Sequence, residues 1–231
     1  MLQIIRKVLS NLAQIRPGFW SEADFQFAFA WELQRQKLLP NAKIRLERCI
    51  RLADDNSVLS DDKQSYKSYY VDIWVEYEGK IYPIELKYKT IDKPLFYATS
   101  SQIEPIFAKN QAANDLGRYL YLKDVERIET IKQHLKLKFG GGFAIMLTND
   151  KKYFDPSKNL NLNILDRYFR IHQDARFVGP QTYGWNVNPN TTNHWTQTSN
   201  TYKNPIHLQG TYTCDWTQYA GNFKYLLLEI K

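Results

Sequence analysis

The stretch Tyr70-Val71-Asp72-Ile73-Trp74-Val75-Glu76-Tyr77-Glu78-Gly79-Lys80-Ile81-Tyr82-Pro83-Ile84-Glu85-Leu86-Lys87-Tyr88 decides the fold. Its two halves are rich in Val, Ile, Trp and Tyr, which suit a pleated, half-buried surface. Between them, Glu78-Gly79 is a two-residue link carrying a glycine, the usual short hairpin signal. With those two residues as the loop, Tyr77 pairs with Lys80 and the register sets Asp72 opposite Glu85. Lys87 lies two residues further along and shares the face of Glu85. Carboxylates directly opposite across an antiparallel pair have β-carbons only ~5 Å apart. Uncompensated, they destabilise the sheet or force one of the pair to keep its proton. A bound divalent cation removes that conflict, so the hairpin reads as half of a metal site with an ammonium beside it. The bland alternative is an exposed strand face carrying three solvated charges.

The 231 residues suffice for one domain over the whole chain, and 43% hydrophobic residues support a substantial core. A net charge of +7 favours a polyanionic partner such as nucleic acid, through phosphate neutralisation. Cys49 and Cys214 are the two cysteines, with no CxxC, so neither a zinc site nor a disulfide framework is indicated. Cys49 falls in an apolar strand pattern and is expected in the core. No run of eighteen apolar residues occurs, so no membrane span is expected. The N-terminal segment has helical spacing and not a signal-peptide core, which makes a cytoplasmic location the default.

Leu2, Ile5, Val8, Leu9, Leu12 and Ile15 predict a first amphipathic helix, ended by Pro17-Gly18. A second helix begins near Ser21, with Asp24 three residues on, and runs to about Lys37. Residues 41–52 read as a basic strand and 53–68 as a polar loop. After the hairpin, 92–101 is a connector and 103–135 is mostly helical. Phe143-Ala144-Ile145-Met146-Leu147 is a buried strand, and 223–230 is another. Gly140-Gly141-Gly142 lacks the Lys and Ser/Thr of a phosphate loop and precedes a strand. Residues 179–214 are rich in Asn, Thr, Gln and aromatics and nearly uncharged, and read as a long packed loop or a substrate-contacting flap. The sequon at Asn190 has no meaning without secretion.

On the second helix Phe25, Ala28, Phe29 and Glu32 share one stripe. A carboxylate on an apolar helix face is costly unless it finds a partner. A metal or its bound water would serve, and the alternative is a Glu32 at the stripe edge reaching solvent. Further along, Gln111, Asp115, Arg118 and Tyr119 fall at helical intervals. Arg118 would pair with Asp115, Glu126 or Glu129, while residues 123–127 alternate in sign and read as surface. The four histidines show no ligating spacing.

Glu32 on an early helix, Asp72 entering a strand, Glu85-Leu86-Lys87 on the next and Gln111 on the following helix together resemble the PD-(D/E)xK, or restriction-endonuclease-like, nuclease superfamily. The resemblance covers about residues 20–150, with 151–231 as a C-terminal elaboration. It departs at Val71, where the signature often has Pro. That position shapes a turn and carries no chemistry. The resemblance implies an α/β fold, with a mixed central β-sheet flanked by helices in α-β-β-β-α-β order. It further implies that Asp72, Glu85 and the Leu86 carbonyl bind Mg2+ or Mn2+. The ion would polarise a scissile phosphate and acidify an attacking water. Lys87 would orient that water and offset developing charge. Glu32 would act through a bridging water or a second ion, and Gln111 would steady the site. Lys43, Arg45, Arg48, Arg51, Lys89 and Lys109 are candidate phosphate contacts on nucleic acid, expected to be DNA. A homodimer is a further expectation if both strands are cut, though no surface feature in the sequence demands one. A nucleic-acid-binding protein without turnover and a protein-interaction module are the competing expectations.

Overall fold

Glu78 and Gly79 take φ values of 49° and 71°, the two left-handed residues that a type I′ hairpin turn requires. The turn sets the register expected from the sequence, with Tyr77 paired to Lys80 and Ile73 to Ile84. The structure, a computed structural model, describes residues 1–53, 66–92, 95–98, 103–106, 110–111, 113–156, 164–186 and 204–231. Residues 54–65 of the expected polar loop lie outside these residues, as do Lys109 and the sequon at Asn190, and its two ends, residue 53 and residues 66–68, lie in strands.

Two helices open the chain, α1 (Leu2–Ile15) and α2 (Glu22–Gln34). Ser21 caps α2, its hydroxyl accepting the Asp24 N–H at 3.1 Å, which satisfies one of the free amides of the first turn. Three antiparallel strands follow, β1 (Lys43–Ala53), β2 (Tyr66–Tyr77) and β3 (Lys80–Lys89). A small hairpin, β4 (Leu95–Ala98) and β5 (Ile103–Ile106), leads to the long helix α3 (Asn114–Leu135). Strand β6 (Gly142–Thr148) then runs parallel to β3. Parallel neighbours need a long crossover, and α3 supplies it.

Past β6 come the one-turn helix α4 (Lys151–Phe154) and the short strands β7 (Arg176–Phe177), β8 (Gln181–Tyr183), β9 (Ile206–Leu208), β10 (Tyr212–Thr213) and β11 (Trp216–Gln218). The last strand is β12 (Lys224–Ile230). The central sheet has the order β1-β2-β3-β6-β12-β11 and is mixed, with β3 and β6 its parallel pair. No described helix is long and apolar enough to cross a membrane.

Strand alternation gives the sheet two buried faces. Ile73, Val75, Ile84, Leu86, Phe143, Ile145 and Leu147 pack with α1 and α2. Ala144, Met146, Leu226 and Leu228 pack with Tyr121, Leu122, Val125 and Ile128 of α3. Every side chain of β6 is buried, as expected of a strand covered on both sides.

Several expectations need correction. Residues 103–106 form a strand, and the helix starts only at Asn114. Pro105 lacks a donor for a helix interior, and Ala113 at φ 66° breaks the backbone before α3. The connector after the hairpin contains β4. Cys49 is exposed on edge strand β1 rather than in the core. Arg118 pairs with none of its helical neighbours but with Asp166 beyond β6, and it also donates to the Lys152 carbonyl. The segment after residue 151 is more than an appendage, since β12 and β11 complete the main sheet. The expected long loop contains β8, β9 and β10, with 187–203 outside the described residues.

Glu129 on α3 anchors this C-terminal part. It is buried and accepts the Gln209 N–H at 2.9 Å, the Gly210 N–H and the Tyr212 hydroxyl, the last two at 2.6 Å. Removing that acceptor strands three donors, the Tyr212 hydroxyl buried and the two amides partly so. We expect Glu129→Ala to lower the unfolding free energy by about 3 kcal/mol in urea titrations, and Glu129→Gln to cost clearly less.

Candidate metal centre

The β2–β3 ladder ends at Ile73 and Ile84, where the strands begin to open. There the Asp72 side chain takes over from the backbone, and its Oδ2 accepts the Leu86 N–H at 2.6 Å. Gln26 from α2 holds the same residue from behind, donating to the Asp72 carbonyl at 2.7 Å and to Glu47 at 2.8 Å. Asp72 is thereby fixed at the break, with its carboxylate turned toward β3.

Leu86 points into the α1–α2 side of the core, so Glu85 and Lys87 on either side of it face α3. Two α3 residues meet them. Arg127 donates to Glu85 Oε1 at 2.8 Å, and Lys87 Nζ lies 2.8 Å from Asp124 Oδ2. Arg127 also reaches Asp124 at 3.2 Å, which makes the four side chains one alternating chain of charge. Glu85 is 1% exposed, and its second oxygen, Oε2, has no hydrogen-bond partner. A buried carboxylate oxygen without a donor is costly unless it keeps a proton or takes up a cation.

Burial pushes the Glu85 carboxyl well above its ordinary value, with Asp124 and Asp72 adding to the rise and Arg127 opposing it. Asp72 is also raised, chiefly by burial. Burial pulls Lys87 down, but Asp124, Glu22 and Asp72 outweigh it and hold the ammonium above its usual range. Glu22, in the first turn of α2, accepts the Tyr88 N–H at 2.8 Å and faces the same cluster. Four carboxylates (Glu22, Asp72, Glu85, Asp124) thus surround two cations (Lys87, Arg127). With all four ionised the surplus would equal the charge of one divalent ion, and the raised Glu85 and Asp72 carboxyls show that protons can meet part of it.

Among the described residues, no three His, Cys, Asp or Glu side chains form a ready-made metal cage. The donor set still suits a hard cation that keeps several waters, with Asp72 and Glu85 as its protein carboxylates. The Leu86 carbonyl, by contrast, already accepts from Lys87 Nζ at 3.2 Å.

Other expected site residues lie apart. Glu32 is buried as its stripe requires, but its Oε1 accepts from Asn11 of α1 and from Gln36, both at 2.8 Å. It sits ten residues along α2 from Glu22, ~15 Å away at helical rise, and amides already satisfy it. Gln111 precedes α3 rather than lying on it, its N–H donating to the Thr90 carbonyl at 2.9 Å just past β3. Lys43 pairs across the sheet with Glu76 in register, four residues or ~13 Å from Asp72 along β2. Arg45 is held by Glu76 at 2.7 Å, and Arg48 stacks over Trp74 with its guanidinium 5.2 Å from the ring centre. Arg51 is exposed and Lys89 half-buried at the end of β3.

Asp124 and Arg127 lie in the segment read as surface from its alternating signs, and both correct that reading. The missed signal is the α3 stripe of Tyr121, Asp124, Val125 and Ile128, all buried. An aspartate in such a stripe carries the same message as Glu32 in its own. Comparison of the chain with protein-family models, with curated proteins and with solved structures finds no match.

The charge surplus has a pH signature. Because folded Glu85 binds its proton more tightly than unfolded Glu85, the stability it contributes is full below the ordinary carboxyl value. That contribution is lost as pH rises toward the raised value. In EDTA at neutral pH, Glu85→Gln should therefore be more stable than wild type by on the order of 1 kcal/mol. The gap should close as the pH falls to about 4; thermal melts across that range check it.

Proposed function

We propose that the chain is a metal-dependent phosphodiesterase acting on nucleic acid, built on a restriction-endonuclease-like core. The observation that carries this reading is the buried, unpartnered Glu85 Oε2 beside Asp72 and Lys87. Apart from the small β4–β5 hairpin, the run from α2 to β6 is a helix, three antiparallel strands, a crossover helix and a parallel strand, which supports the reading. The absence of matching relatives leaves the reading to chemistry alone.

Asp72 and Glu85 would hold the ion, Mg2+ or Mn2+, which when bound would polarise a phosphate and acidify a water. The chain does the rest. Asp72 is positioned by the Leu86 N–H and by Gln26, so one ligand is oriented before any ion arrives. Glu85 is held through Oε1, leaving Oε2 for the ion. Lys87 stays an ammonium aimed at the same face, where it offsets negative charge developing on a phosphoryl group. Asp124 keeps that ammonium in place. Ala144 and Met146, the β6 partners of Glu85 and Lys87, pack with Val125 of α3 and keep this side of the sheet dry, which strengthens each of these interactions.

A second reading, a nucleic-acid-binding protein without turnover, is favoured by one feature: the Arg127–Glu85 and Lys87–Asp124 pairs already compensate part of the cluster. Incubation with plasmid and single-stranded DNA in Mg2+ or Mn2+ separates the two. Wild type should cleave, EDTA should stop it, and Lys87→Ala should lower the rate by about 100-fold or more. Asp72→Asn should abolish it while preserving the melting temperature. Equal activity in wild type and Lys87→Ala would remove this site from the reaction.

A further inference from the structure

Beside the acidic cluster lies a half-open concavity of about 400 Å³ between the start of β2 and the outer side of α3. Lys67, Tyr69, Tyr70, Lys123, Glu126 and Arg127 line it, with Ser68 and Thr130. Its inner end is Arg127, the residue that holds Glu85 Oε1 and also reaches the Tyr70 carbonyl at 3.3 Å. Arg127 therefore joins the groove to the proposed metal pair.

Its walls combine two kinds of contact. Tyr70 is 60% exposed, a large ring presented to solvent. The Lys67 ammonium sits over the Tyr69 ring, 5.2 Å from its centre, and among the described residues has no carboxylate partner. Lys123 pairs with Glu126, the one acid of the groove, and donates to the Pro205 carbonyl at 3.2 Å. Lys67 and Arg127 leave the lining positive. Cations for phosphates, interleaved with rings that can stack on any base, are the means by which proteins grip unpaired strands.

We propose that this groove binds single-stranded nucleic acid and feeds it to the Asp72–Glu85 site, with a base stacked on Tyr70 and backbone phosphates on Lys67 and Arg127. The inference rests on the phosphodiesterase reading for its direction, though not for the binding itself. Unpaired or frayed segments are then the substrate class, and intact duplex is not.

Fluorescence anisotropy of labelled oligothymidylate, oligouridylate and a duplex of equal length, all in EDTA, tests it without cleavage. Wild type should bind one or both single strands more tightly than duplex, and the two strand types distinguish DNA from RNA. Tyr70→Ala should weaken that binding roughly ten-fold or more, with Tyr70→Phe keeping it. Lys67→Ala should reduce the slope of log affinity against log salt by about 0.7, the loss of one phosphate contact. A preference for duplex, no binding by wild type, or full affinity in both Tyr70→Ala and Lys67→Ala would overturn the proposal. Groove-dependent binding with no cleavage in any metal would overturn the enzyme reading and leave the groove standing. Lys87-dependent cleavage indifferent to both groove variants would do the reverse.

Discussion

A confined excess of negative charge is the constraint around which this chain is arranged. The hairpin turn at Glu78-Gly79 sets a register that runs to Ile73 and Ile84, with Asp72 and Glu85 just beyond its end. The Leu86 N–H then pins Asp72 where the strands part, and the surrounding core denies Glu85 water. The cost is visible in the upward shift of both carboxyls and in an oxygen left without a donor. Lys87 and Arg127 relieve part of it. Carboxyls perturbed in this way cluster at functional sites and in buried ion-pair networks.

The rest of the fold makes that confinement possible. Strand β3 is central, paired with β2 on one side and β6 on the other, so its residues alternate between two buried faces. Leu86 anchors one face while Glu85 and Lys87 are delivered to the other. The crossover that lets β6 run parallel to β3 is α3, and the same helix brings Asp124 and Arg127 over the cluster. Glu129, further along α3, fastens the C-terminal strands behind it. One helix therefore completes both the site and the sheet.

The hairpin was legible because its information is local. A glycine-bearing two-residue link dictates register, and register dictates which side chains meet. Helix α1, the Ser21 cap and the buried β6 were readable for the same reason. Glu32 shows the limit. A carboxylate in an apolar stripe does need a partner, but the partners here are Asn11 and Gln36, and no spacing along α2 could name them. The acid that does face the cluster, Glu22, sits in the first turn, where acids are commonplace. Asp124 and Arg127 were hidden by alternating signs that mimic a solvated helix face. Arg118 found Asp166, 48 residues away, a pairing that depends on how the C-terminal segment returns. Contacts set by tertiary return paths are not written in any window of sequence.

Calorimetric titration of Mn2+ into metal-free protein tests the central claim most directly. The account predicts one ion bound per chain, protons released as it binds, and no comparable heat with Glu85→Gln. Binding of equal strength in that variant, or no binding by wild type at all, would contradict it.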